Sequence, residues 1–174
     1  MAVNRGKQFE DKIRSALEKV PDISVDRLPD PAAGYAGIRN ICDFIVYRYP
    51  FVHYFECKTT HEGTLNWSAF TDDQWTGLQE KDVYPGTIAG AIVWFVKKDR
   101  TVFVPIHEMC RLYREGKKSL SLREIDEGTV SFVEVPGRKL RILYDYDGDA
   151  FISNLDLKYG ERAKPGGDIL VKKR

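Results

Sequence analysis

Apolar residues first recur at helical spacing. Phe9, Ile13, Ala16, Leu17 and Val20 form a 3.6-residue stripe, which predicts an amphipathic helix over 3–20. The Pro-, Gly- and Asp-rich "VPDISVDRLPDPAAGYAGIRN" (20–40) then reads as extended chain and loop. "CDFIVYRYPFVHYFECKTT" (42–60) resembles two strands joined at Tyr49-Pro50, followed by a loop over 60–70. Thr71-Asp-Asp-Gln74 matches a capping box, so a helix should begin near Asp72 and turn Trp75 and Leu78 inward. "TIAGAIVWFV" (87–96) suits a buried strand, and "KKDR" turns it into the partner strand "TVFVPI" (101–106). A short helix over 107–115 should end at Gly116, and 120–146 reads as further strands with a turn at "PGRK" (136–139). Helix, strands, helix, strands is the order of an α/β or α+β domain around one mixed sheet.

Composition changes this picture little. The chain of 174 residues suits one domain with its own core, and no apolar run reaches the ~18 residues of a membrane span. The N-terminus lacks an apolar signal core, and Cys42, Cys57 and Cys110 match no zinc or redox spacing, which fits a reduced, cytoplasmic protein. Net charge is +1, but residues 154–174 carry six cations against three carboxylates. We therefore read 1–152 as the folded domain and 153–174 as a basic tail. Such a tail is either simply solvated or able to track phosphates through Lys172, Lys173 and Arg174.

The hairpin holds the chemistry. With the turn at Tyr49-Pro50, antiparallel partners have numbers summing to about 99, which sets Asp43 opposite Glu56. Lys58 lies two residues beyond Glu56 and so projects from the same face. Facing carboxylates repel unless a cation lies between them or one takes a proton. Oxygen ligands at that spacing suit Mg²⁺, with Mn²⁺ as an alternative, and a nearby ammonium can stabilise charge on a phosphoryl group. This combination suits metal-dependent phosphodiester cleavage. The competing reading makes Asp43 and Glu56 strand-end charges on a solvated edge; the apolar flanks "FIVY" and "FVHYF" oppose it. A second E-x-K, "EGK" at 115–117, falls at a polar helix end and is set aside. Trp67, Phe70 and Trp75 could stack on bases or pack in the core, and His61, just after the hairpin, reads as a loop histidine, with an approach to DNA as the alternative.

D-x12-E-x-K on a hairpin, after a helix bearing a glutamate, resembles the PD-(D/E)XK nuclease core. More narrowly, "NRGKQFE" (4–10), the acidic hairpin and "FTDDQWTGL" (70–78) resemble RecU-type Holliday junction resolvases, and "AIVWFVKKDRTVFVPI" (91–106) is similar to their next strand pair. The resemblance implies a restriction-endonuclease-like α/β fold with a mixed central sheet flanked by helices. It implies a Mg²⁺-dependent endonuclease that resolves four-way DNA junctions by paired nicks, as a homodimer and without a membrane. Residue by residue, it makes Asp43 and Glu56 metal ligands, with the main-chain carbonyl of Cys57 as a further one. Lys58 becomes the transition-state stabiliser, Gln74 a neighbour of the metal or of the attacking water, and Glu10 an accessory carboxylate. Arg5, with Lys7 beside it, becomes a DNA contact. Where related resolvases can carry a threonine two residues before the aspartate, this chain has Ile41, and its 21–40 segment is short for their stalk. Two alternatives stay open: another nuclease of this superfamily (repair or restriction type), or a DNA-binding module on the fold without cleavage.

Overall fold

The computed structural model describes residues 4–29 and 40–161. Helix α1 (Arg5–Leu17) starts where the Asn4 side chain accepts the Lys7 amide and buries Phe9, Ile13, Ala16 and Leu17. Strand β1 (Ser24–Arg27) leads towards the hairpin β2 (Phe44–Arg48) and β3 (Phe51–Thr60), whose turn carries a cis Tyr49-Pro50 bond. After β4 (Thr64–Asn66) and one 3₁₀ turn, α2 (Asp72–Asp82) begins at a complete capping box, Thr71 with Gln74. Then come β5 (Thr87–Phe95), β6 (Arg100–Pro105), α3 (Ile106–Arg114), β7 (Ser119–Ser121) and α4 (Leu122–Asp126). The last elements are β8 (Val133–Glu134), β9 (Gly137–Lys139), β10 (Tyr144–Tyr146) and α5 (Gly148–Tyr159).

One six-stranded sheet, in the order β1-β2-β3-β5-β6-β8, organises the molecule. Only β3 and β5 run parallel, because α2 carries the chain back between them; the other neighbours are antiparallel. β5 lies inside the sheet with helices over both faces, which explains its uninterrupted apolar sequence. On one face α1 and α5 press Phe9, Ile13, Phe151 and Ile152 onto Phe44, Phe55, Ile92 and Phe103. On the other, α2 and α3 press Trp75, Leu78 and Met109 onto Ala91, Val93 and Val104. Two such layers around a mixed sheet are the expected α/β architecture.

Four expectations change. "PGRK" does not turn: Gly137–Lys139 is strand β9, and it pairs with β10 across residues 140–143. Part of 120–146 is helical, since Ser121 and Glu124 form a second capping box at the start of α4. The loop over 60–70 contains β4, which pairs with β7. Finally, the boundary expected at 152/153 falls inside α5, whose Leu155 and Tyr159 are buried in the core. Gly148 makes that docking possible: a Cβ there would stand 2.3 Å from the Ala16 carbonyl oxygen. Lys172, Lys173 and Arg174 lie outside the described residues, as do residues 30–39 of the 21–40 segment.

Candidate active site

The hairpin register is the expected one, with Phe44 opposite Phe55. The ladder ends at that pair, and the Asp43 amide, one residue before β2, donates to the same Phe55 carbonyl at 2.9 Å and so holds Asp43 at the end of the hairpin. The Asp43 carboxylate accepts the Cys57 amide at 2.7 Å, so it lies against β3 rather than in solvent.

Glu56 is 2% exposed, and its two oxygens differ. Oε1 receives the Lys58 ammonium at 2.6 Å and the Gln74 amide at 2.6 Å. Oε2 is buried and has no hydrogen-bond partner among the described residues. An ionised carboxylate with one starved oxygen in a low-dielectric site is costly, and burial duly pushes Glu56 up to about 7, with the Asp43 charge adding to the shift and Lys58 opposing it. Burial likewise pushes Asp43 up to about 6, against the Cys57 hydrogen bond that favours its charged form.

Lys58 is clamped. Its ammonium reaches Glu56 Oε1, donates to Gln74 Oε1 at 3.1 Å, and stands 5.2 Å from the Phe70 ring centre. The same Gln74 oxygen accepts the Thr71 amide at 3.0 Å. Gln74 thus caps α2 and holds the Lys58 ammonium with a single side chain.

The other expected residues stand further out. Arg27 on β1 binds the Glu10 carboxylate at 2.7 Å, although the Glu10 charge still raises both acidic groups. Among the described residues, no group of three or more His, Cys, Asp or Glu side chains is gathered as a metal cage. Cys57 touches Asp43 through its amide. Arg5 lies 3.4 Å from the His61 ring, and Lys7 is exposed. Trp67, Phe70 and Trp75 are all buried in the core on the α2 side and are not base platforms. Sequence reasoning missed Arg27: its link to Glu10 joins β1 to α1, and no local pattern announces such a contact. Ile41 has a structural job, because its methyl occupies the space where a Cβ on Gly77 of α2 would stand, 2.2 Å away.

A mixed sheet flanked by helices, with the buried Glu56, the half-buried Asp43 and a clamped lysine brought together at the hairpin, is the arrangement expected of a restriction-endonuclease-like nuclease. Residues 30–144, more than half of the chain, match the family model of RecU, described as recombination protein U, and the chain belongs to that family. It is accordingly a Holliday junction resolvase, an enzyme acting on DNA in recombination. The match leaves out Arg5, Lys7 and Glu10. Among solved structures, the chain is similar to the Holliday junction resolvase Hjc of Archaeoglobus fulgidus, at 18% identity over 69% of this chain and 98% of that one, with a TM-score of 0.47. Comparison with curated proteins gives no match. No helix among the described residues is long and apolar enough to cross a membrane.

Proposed function

We propose that this resolvase is a Mg²⁺-dependent endonuclease that works as a homodimer and nicks a four-way junction at two symmetric positions. The observation that carries the metal reading is the buried, unpartnered Oε2 of Glu56 beside the Asp43 carboxylate. Hard oxygen donors around an unmet negative charge fit a divalent cation, Mg²⁺ first and Mn²⁺ as a substitute. Asp43, Glu56 Oε2 and the Cys57 carbonyl would hold it, with water completing the shell. When bound, the ion neutralises charge on a phosphodiester and makes water more acidic.

The chain's own groups do the rest. Lys58 faces the phosphoryl oxygens on which charge develops and stabilises them in the transition state. Gln74 and Glu56 fix its ammonium, so little reorganisation is needed when the charge appears. Glu10 shapes the local field, and Arg5 and Lys7 meet DNA phosphates from the N-terminal helix. Paired nicks need two sites related by a two-fold axis, which is the reason for a homodimer.

The test is purified protein with Mg²⁺ on a synthetic four-way junction, a linear duplex and a single strand, side by side. Symmetric nicks confined to the junction are expected. Equal cutting of all three would replace this reading with that of a general nuclease.

A further inference from the structure

The β9–β10 hairpin stands on a stiff base. The Tyr146 and Thr101 hydroxyls meet at 2.8 Å, and the Tyr144 hydroxyl donates to the Asp99 carbonyl at 2.6 Å. The two tyrosine rings stack with centres 5.5 Å apart, and Lys139 pairs with the Asp99 carboxylate. From Tyr146 back to Tyr144 the ribbon therefore passes from Thr101 to Asp99, and its tip at 140–143 continues past that turn. The turn lies at the active-site end of the sheet. Phe95, just before it, pairs with Thr60, two residues beyond Lys58, and Lys97 within it binds Glu62 at 3.0 Å. Strand rise and spacing, counted from Glu56 opposite Ala91 to the turn after Phe95, put Asp99 roughly 15–20 Å from the carboxylates.

Residues 137–144, "GRKLRILY", hold three cations and no carboxylate. Elsewhere Arg48, Arg100, Arg111 and Arg123 each meet a carboxylate. Arg138 and Arg141 are exposed and, among the described residues, meet none. Leu140 and Ile142, on either side of Arg141, are 41% and 61% exposed. Unanswered guanidinium groups beside an aliphatic tip suit duplex DNA. Its minor groove attracts arginine, and apolar side chains press there against sugars and base steps. A second copy of the chain fits badly. A two-fold contact sets a patch against itself, and this one would bring its unpaired arginines together.

We propose that the β9–β10 hairpin is a second DNA grip, which holds the duplex arm leading away from the cut. Arg138 and Arg141 take phosphates along the minor groove of that arm, and Ile142 enters the groove. The hairpin binds and orients; it touches no reacting atom. The proposal rests on the junction-resolving reading for its substrate, and it adds where an arm of that substrate lies.

Salt-dependent binding tests it. Full-length protein is titrated by fluorescence anisotropy in Ca²⁺, to hold DNA without cutting, onto a four-way junction and a linear duplex over a range of salt. Each lost phosphate contact removes about one from the slope of log K against log salt. The double variant Arg138→Ala, Arg141→Ala should therefore lose about two, and bind both DNAs about tenfold or more weakly. Ile142→Ala should bind about fivefold more weakly with an unchanged slope, because it removes apolar contact and no charge. Both should melt like wild type, since these side chains are exposed. Hydroxyl-radical footprinting of the wild-type complex should show protection about five to eight base pairs from the cut position, which the double variant loses. A wild-type slope in the double variant, wild-type affinity in Ile142→Ala, or an unchanged footprint overturns the proposal. So does an equal loss of slope per charge in Arg123→Ala, which would make the effect one of net charge. A shift of the double variant towards monomer in sedimentation also overturns it, because the hairpin would then be a subunit contact. If wild type binds and cuts all DNA alike, the resolvase reading fails, and the slope still decides the hairpin. If it binds no DNA, both fail.

Discussion

His53 and Glu56 sit three residues apart on β3, on opposite faces of the sheet, and both are buried polar groups. His53 is 0% exposed and fully engaged: Nδ1 lies 3.2 Å from the Val46 carbonyl oxygen and Nε2 lies 2.7 Å from an Asp156 oxygen. That pair ties α5 to the sheet. Glu56 uses one oxygen twice and, among the described residues, leaves the other without a partner. A buried polar group that serves the fold has its hydrogen bonds satisfied. One that serves chemistry keeps a bonding position for something not yet there, at a cost in stability.

The largest break in this comparison comes from Asp43→Asn. The amide oxygen can still accept from Cys57, so the fold should survive, with unchanged or higher melting temperature when no divalent ion is present. Junction cleavage should fall about a thousandfold or more, because a cation loses an anionic ligand. Near-wild-type cutting by this variant would place the site elsewhere.

Lys58→Ala should lower the single-turnover cleavage rate about 10²- to 10³-fold with little change in junction affinity, since its ammonium acts on charge that exists only in the transition state. Weak binding with normal cleavage of bound DNA would reduce it to a phosphate contact. Gln74 sharpens the point, because its two jobs can be separated. Gln74→Glu keeps a cap for Thr71, so α2 should hold, but it sets a third carboxylate against Glu56 and cleavage should fall about tenfold or more. Gln74→Ala loses cap and clamp together, and should also cost about 1 kcal/mol in denaturant unfolding.

On the other face the expected pattern is reversed. Asp156→Ala leaves a buried imidazole without its partner and should cost about 1–3 kcal/mol of unfolding free energy, with cleavage per folded molecule unchanged. A loss of turnover without a loss of stability would contradict the division between the two faces.

The smallest effect is a pH dependence. Asp43 at about 6 and Glu56 at about 7 lie above their ordinary values of 3.8 and 4.5. Between those limits the folded protein holds more protons than the unfolded chain, so stability should fall as pH rises from about 4 to about 7. In thermal melts without divalent ions, wild type should lose a few degrees relative to Asp43→Asn between pH 5 and pH 8. Mg²⁺ should restore them at pH 8 but not at pH 5, where the carboxyls are protonated. A wild-type melting point that climbs relative to Asp43→Asn over this range would reverse the sign.

What could be read from the sequence follows physical range. The hairpin register was legible because a tight turn fixes it, and with it the placing of Glu56 and Lys58 on one face of β3. The Thr71–Gln74 cap was legible for the same local reason. Two local signals were available but not used: Ser121-x-x-Glu124 at α4, and Asp147 before the apolar Phe151, Ile152, Leu155 and Tyr159 of α5. In α5, Gly148 near the start and the cations further on resemble a frayed tail, until α1 is placed beside it. The Glu10–Arg27 bond and the unpartnered oxygen of Glu56 were not legible, since both depend on which elements meet in space.

The meeting of Ile41 with Gly77 has a consequence for how such a site can change over generations. The position two residues before the aspartate is filled by a branched side chain that the helix accommodates only by having no side chain of its own there. Restoring a smaller hydroxyl residue at 41 opens a void against α2, and enlarging residue 77 first produces a clash. Either single step passes through a less stable protein, so descendants are held where they are unless both positions change together. The absence of a threonine beside this site is thus kept in place by a glycine thirty-six residues away, through packing alone.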